Sequence, residues 1–135
     1  MSTAKEVLHH PRAWVYARGV SGSPVLQERF DALRQSALRE GYEIVGQSSD
    51  ARQRFAVRHP GRAALLRAVR KGLVDDVFVT RLSQFSRKRS RLRRILVRLQ
   101  RKGVCVHTTE IDLRYDLYRH GLDNVLTGAS RFHAR

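Results

Sequence analysis

The chain has 135 residues, with 27 Lys and Arg against 12 Asp and Glu, a formal net charge of +15. This length suits one domain with its own core; 41% apolar and 29% charged residues exclude a disordered tail, and no apolar run approaches the ~20 residues of a membrane span. The single cysteine, Cys105, excludes an internal disulfide and a cysteine-built zinc site; with no signal-peptide core in the first 12 residues, the expected compartment is the reducing cytoplasm.

Taken in chain order, apolar runs alternate with helical periods. Residues 1–12 read as an N-terminal extension. Ala13–Ala17 is short, β-branched and aromatic, and predicts a buried strand. Glycines and a proline make a loop of Arg18–Pro24. Leu26, Phe30, Leu33 and Ala37 recur at helical spacing up to Gly41, a suitable helix stop. Tyr42–Val45 predicts a second strand, and the polar stretch Gln47–His59 predicts a loop. Pro60 suits the first position of a second helix, which carries Ala64, Leu65, Ala68 and Val69 on one face and ends at Gly72. Val74–Thr80 predicts a third strand. Lys88–Lys102 predicts a third helix with Leu92, Ile95, Leu96 and Leu99 on one face, and Val104–His107 a fourth strand after Gly103. Beyond Glu110 the pattern weakens, and residues 111–135 read as a C-terminal helix over Asp112–Leu126 followed by a tail.

Strands alternating with helices predict an α/β fold: an open, mostly parallel sheet of four to five strands flanked by helices. Ligands of such sheets sit beyond the carboxyl ends of the strands. The loops after Ala17, Val45 and Thr80 are therefore expected at the functional edge.

The net charge implies an anionic partner, and nucleic acid fits it better than a membrane surface, because no basic amphipathic helix stands apart from the globular pattern. The 22 residues Arg81–Lys102 hold ten basic side chains and no acid. Like charges one turn apart repel, so a helix face kept free of acids points to a phosphate-tracking surface. Arg81, Lys88, Arg89, Arg91, Arg94, Arg98 and Arg101 are its candidate DNA-binding residues, and the preference for Arg over Lys suits bidentate phosphate contacts. The six histidines are scattered without metal-ligand spacing. Asp75 and Asp76 suit capping or pairing with an arginine. Cys105 and Trp14 read as core.

Arg18 and Ser21 follow the first strand. A serine can attack phosphorus where cations neutralise the phosphate, although a turn between strand and helix favours serine and glycine as well. Tyr16-Ala17-Arg18 followed by a serine is similar to the start of the catalytic domain of serine recombinases, the resolvase/invertase family. Gly72–Arg87, GLVDDVFVTRLSQFSR, resembles without a gap the family's glycine, Val-Asp pair, buried strand and Leu-Asp-Arg-Leu-Ser-Arg loop. Arg58-His59-Pro60-Gly61, with Ala64 and Leu65, resembles the family's Arg-Pro-Gly-Leu entry to its second helix. Asp50 stands where the family has an aspartate after its second strand. The resemblance spans residues 13–110, taken as the catalytic domain. It implies a serine that attacks a DNA phosphodiester and becomes linked to the 5′ phosphate, with arginines holding the phosphate and with neither ATP, metal nor other cofactor. Ser21 would be the nucleophile, Arg18, Arg58 and Arg87 phosphate ligands, and Asp50 a supporting carboxylate. The family also implies DNA as partner and a homodimer or higher oligomer on DNA.

Four departures from the family pattern matter. Ser83-Gln84 replaces the Asp-Arg pair, and Gln supplies no charge. Two residues, Gly19 and Val20, separate Arg18 from the serine where the family has one. His59 is inserted between Arg58 and Pro60. No helix-turn-helix signal follows residue 110. The readings in play are an active recombinase domain, a catalytically degenerate relative that binds DNA or regulates, and an unrelated RNA-binding α/β protein. The last is disfavoured because no stacking aromatics accompany the basic helix. On the second, restoring Asp-Arg at positions 83 and 84 should speed cleavage.

Overall fold

The computed structural model describes residues 10–51 and 58–110. In order along the chain these form β1 (Arg12–Arg18), α1 (Pro24–Arg39), β2 (Glu43–Asp50), α2 (Pro60–Arg70), β3 (Asp76–Val79), a 3₁₀ turn (Leu82–Gln84), α3 (Arg89–Arg101) and β4 (Cys105–Thr108). The four strands make one sheet in the order β2-β1-β3-β4, and every pairing is parallel. The C-terminal helix expected over Asp112–Leu126 lies outside the described residues.

Alternation along β1 divides the core in two. Ala13, Val15 and Ala17 face α1, where Leu26, Phe30, Leu33 and Ala37 form the buried stripe, together with Phe78 of β3. Tyr16 faces the other way, toward Leu65 and Val69 of α2, Leu92, Leu96 and Leu99 of α3, and Val77, Val79 and Val106 of the sheet. The result is three layers, helix on sheet on helices. Each fully buried Leu or Phe contributes ~1.5–3 kcal/mol by leaving water.

The helices begin and end where the sequence sets their stops. Ser23 caps α1 by accepting from the Leu26 N–H at 3.2 Å, and Pro24 fills the first turn. Gly41, Gly72 and Gly103 follow the three helices.

The second strand departs from expectation. It extends to Asp50, so the polar loop begins only at Ala51. Among the described residues β2 is an edge strand, hydrogen-bonded to β1 alone, and its Ser48 and Asp50 are used against α2. The Trp14 indole N–H donates to Ser48 Oγ at 2.9 Å, and the Ser48 hydroxyl donates to the Gly61 carbonyl at 2.8 Å. Gly61 must be glycine: a Cβ there would lie 2.2 Å from the Ser49 carbonyl oxygen. This close approach brings the start of α2 onto the end of β2.

Polar residues away from the carboxyl edge of the sheet also pair. Arg12 grips Asp75 in a two-pronged ion pair, with Nε 3.1 Å from Oδ2 and Nη2 3.1 Å from Oδ1. His107 is buried and stacks on Phe78 with ring centroids 4.3 Å apart. Its Nε2 lies 2.7 Å from Asp76 Oδ2, which also accepts from the Tyr42 hydroxyl at 2.8 Å. Trp14 and Cys105 are partly rather than fully buried.

Candidate active site

The carboxyl edge of the sheet gathers the end of β1, the end of β2 with the start of α2, and the loop after β3. Three interactions lock these together. The Gly19 N–H donates to the Asp50 carbonyl at 3.0 Å. The Arg18 N–H donates to Gln84 Oε1 at 2.9 Å, and Arg18 Nε donates to the Gln84 carbonyl at 2.7 Å. Gln84 is 8% exposed. Its amide is therefore a fastener between strand end and loop, and it presents no charge to the edge.

Asp50, 4% exposed, does not hang into the site. Its Oδ1 accepts from the Gly61 N–H at 2.7 Å, and its Oδ2 from the Arg62 N–H at 2.8 Å and the Tyr16 hydroxyl at 2.6 Å. His59, in the cap position of α2, makes no side-chain cap. Asp50 thus caps the helix from the neighbouring strand, and its negative charge suits the helix N-terminus. The buried Tyr16 hydroxyl is held well above the usual phenol range, first by burial and then by its bond to Asp50.

Two guanidinium groups meet at one carbonyl. Arg62 Nη1 donates to the Phe85 carbonyl at 2.7 Å, and Arg18 Nη2 approaches the same oxygen at 3.4 Å. The Arg62 pKa is held below its usual value by burial and by its neighbours Arg18 and Arg91. Arg29 of α1 also donates, through Nη1, to the Arg18 carbonyl. The edge consequently gathers the guanidinium groups of Arg18, Arg29 and Arg62.

Ser21 lies in the exposed turn between β1 and α1, and its hydroxyl makes no hydrogen bond among the described residues. The Ser23 hydroxyl, by contrast, is committed to capping α1.

The remaining sequence candidates divide. Arg58 and Arg87 are exposed and join neither Arg18 nor Asp50 through a hydrogen bond or ion pair among the described residues. Arg81 pairs with Glu110 at 2.9 Å. On α3 and at its start, Lys88, Arg89, Arg94, Arg98 and Arg101 are exposed. Arg91 is not part of this outward row; it is half-buried and its charge acts on His59 and Arg62. The sequence reading missed Arg62 and Arg29. Arg62 was recoverable: a helix begun by Pro60 puts its third residue at the carboxyl edge. Arg29 carries no such signal, because its role depends on the fold of the turn before α1.

A family model described as the resolvase N-terminal domain matches residues 13–131. The chain belongs to the resolvase family. Solved structures share the fold. The C-terminal catalytic domain of ISC1926 TnpA, an IS607-like serine recombinase, matches with a TM-score of 0.66 at 22% identity, covering 84% of this chain and 79% of that one. A resolvase family site-specific recombinase from Streptococcus pneumoniae matches at 0.62 and 24% identity, covering 93% and 91%. The N-terminal catalytic domain of TP901-1 integrase matches at 0.61 and 20% identity, covering 91% and 96%. No curated protein matches the chain in sequence. In this resolvase domain the open α/β sheet expected from the sequence is present, with four strands among the described residues and all of them parallel.

Proposed function

We propose that this resolvase domain, centred on residues 13–110, binds DNA and cleaves and rejoins its strands through a phosphoserine intermediate on Ser21. The observation that carries the reading is the meeting of Arg18 and Arg62 on the Phe85 carbonyl, with Arg18 at the strand end that leads into the exposed turn of Ser21. In-line attack on a phosphodiester places extra negative charge on the equatorial oxygens. Fixed guanidinium groups stabilise that charge without reorganising. Arg62 is suited to supply part of the charge that Gln84 does not. Ser21 Oγ bonds to phosphorus as its own proton leaves, and the 3′ oxygen departs and takes up a proton. The phosphodiester energy is kept in the phosphoserine link, so rejoining is the same step reversed. DNA is held by the exposed cations of α3, and pairing of two copies on DNA belongs to the same reading.

A second reading is favoured by Gln84: a domain that keeps the fold and the DNA surface but has lost cleavage. The two separate in a time course of covalent protein–DNA adduct on supercoiled plasmid. Arg62→Gln and Arg18→Gln should each slow adduct formation ~100-fold, the scale of removing one preorganised transition-state donor. Binding without adduct across a range of plasmid substrates supports the degenerate reading instead.

A further inference from the structure

His59 is the residue inserted between the arginine and proline of the helix entry, and the fold gives it a defined place. It sits in the cap position of α2, and its Nδ1 lies 3.4 Å from Arg18 Nη2. An arginine only donates, so Nδ1 accepts and the ring proton is on Nε2. The ring is neutral in this arrangement. Among the described residues, the charged groups that act on it are Arg18 from β1, Asp50 from β2, Arg62 from α2 and Arg91 from α3. The positive end of α2 adds to the cations. Burial, then Arg62 and Arg18, hold its pKa below the ordinary 6.5, with Asp50 opposing.

An anionic phosphate entering beside Arg18 and Arg62 would reverse the field at this ring. We propose that His59 is a proton-linked phosphate ligand: its neutral ring steadies Arg18 through Nδ1, and entry of a phosphate group is accompanied by uptake of one solvent proton on the ring. The cationic ring then donates from both nitrogens. Arg18, losing its acceptor at Nδ1, turns Nη2 to the phosphate. Binding and protonation support each other, so affinity at this site rises as pH falls through the histidine range. This rests on the phosphate-binding reading of the edge, and deepens it by naming the residue that couples it to pH.

The test is an NMR titration of the His59 ring in the full chain, with and without saturating sulfate. Sulfate stays a dianion throughout the histidine range. The expected result is a rise of about one pH unit or more in the His59 midpoint, matched by about tenfold tighter sulfate binding on the acid side than on the alkaline side. In His59→Gln, whose amide oxygen accepts from Arg18 but takes no proton, sulfate binding should no longer depend on pH over that range. Sulfate that perturbs the Arg18 and Arg62 side chains yet leaves the His59 midpoint in place overturns this proposal and spares the phosphate site. So does a His59→Gln variant with unchanged pH dependence. Sulfate that perturbs neither arginine overturns both.

Discussion

Replacing Asp50 by Asn tests whether the site is organised by a buried carboxylate that caps α2 from the next strand. The side chain keeps its volume and loses its charge. An asparagine oxygen can take the Oδ2 position and keep the Tyr16 and Arg62 bonds. Its NH₂ then faces the Gly61 N–H across a distance now 2.7 Å, donor against donor. With the oxygen at Oδ1 instead, the amide opposes the Arg62 N–H. One backbone donor is orphaned either way, and the surviving bonds become neutral. A hydrogen bond to a charged group contributes ~1.5–3 kcal/mol and an orphaned buried donor costs ~1–3 kcal/mol. The expected loss is therefore ~2–4 kcal/mol. For a domain of this size that lowers Tm by roughly 10 °C. Tyr16→Phe removes only the phenol bond and should cost ~1 kcal/mol in the native chain, and less in the Asp50→Asn background, because the two groups share one interaction. Urea denaturation of the four proteins gives the cycle. A loss below ~1 kcal/mol for Asp50→Asn, or strict additivity with Tyr16→Phe, would refute the capping argument.

Gly61→Ala should destabilise by more than ~3 kcal/mol, although alanine is the better helix former, because its Cβ would sit 2.2 Å from the Ser49 carbonyl; thermal unfolding shows the sign at once. The paired change Ser83→Asp with Gln84→Arg is expected from the family pattern to speed cleavage by at least ~10-fold. The buried seat of Gln84 reverses that expectation: the Arg18 N–H loses its acceptor and a third guanidinium is pressed against two others, so stability should fall by ~1–3 kcal/mol and adduct formation should slow. A faster variant in the adduct time course would restore the sequence-based expectation. Arg94→Glu with Arg98→Glu should leave folding intact, since both are exposed, and should flatten the slope of log DNA affinity against log salt by ~2. An unchanged slope would move the DNA surface off α3.

What was legible in the sequence followed from periodicity. The stripes Leu26/Phe30/Leu33/Ala37 and Leu92/Ile95/Leu96/Leu99 are the buried faces of α1 and α3. Pro60 begins α2. The end of β2 was not legible. Ser48, Ser49 and Asp50 have no strand-like apolar pattern, because this strand turns the Ser48 hydroxyl and the Asp50 carboxylate toward the start of a helix. The same cause hid the working of the site. The family resemblance made Asp50 a supporting carboxylate without saying what it supports, and its service to Gly61 and Arg62 exists only once α2 folds onto β2. Gln84 looked like a deficit and is a fastener for Arg18. Motif matching pointed to Arg58, while helix geometry brings Arg62 to the Phe85 carbonyl. Arg91 counted as one of a basic run, and the turn of α3 separates it from its outward neighbours.

The most direct measurement of the central claim is to identify the residue that carries DNA. The protein is incubated with supercoiled plasmid, denatured, digested with nuclease and protease, and the nucleotide-bearing peptide is sequenced by mass spectrometry. The account predicts a 5′-phosphoryl nucleotide on Ser21, lost in Ser21→Ala and kept in Ser23→Ala with a modestly less stable domain, because losing the α1 cap costs ~1 kcal/mol. A nucleotide on Ser23, or on any residue in Ser21→Ala, would contradict it.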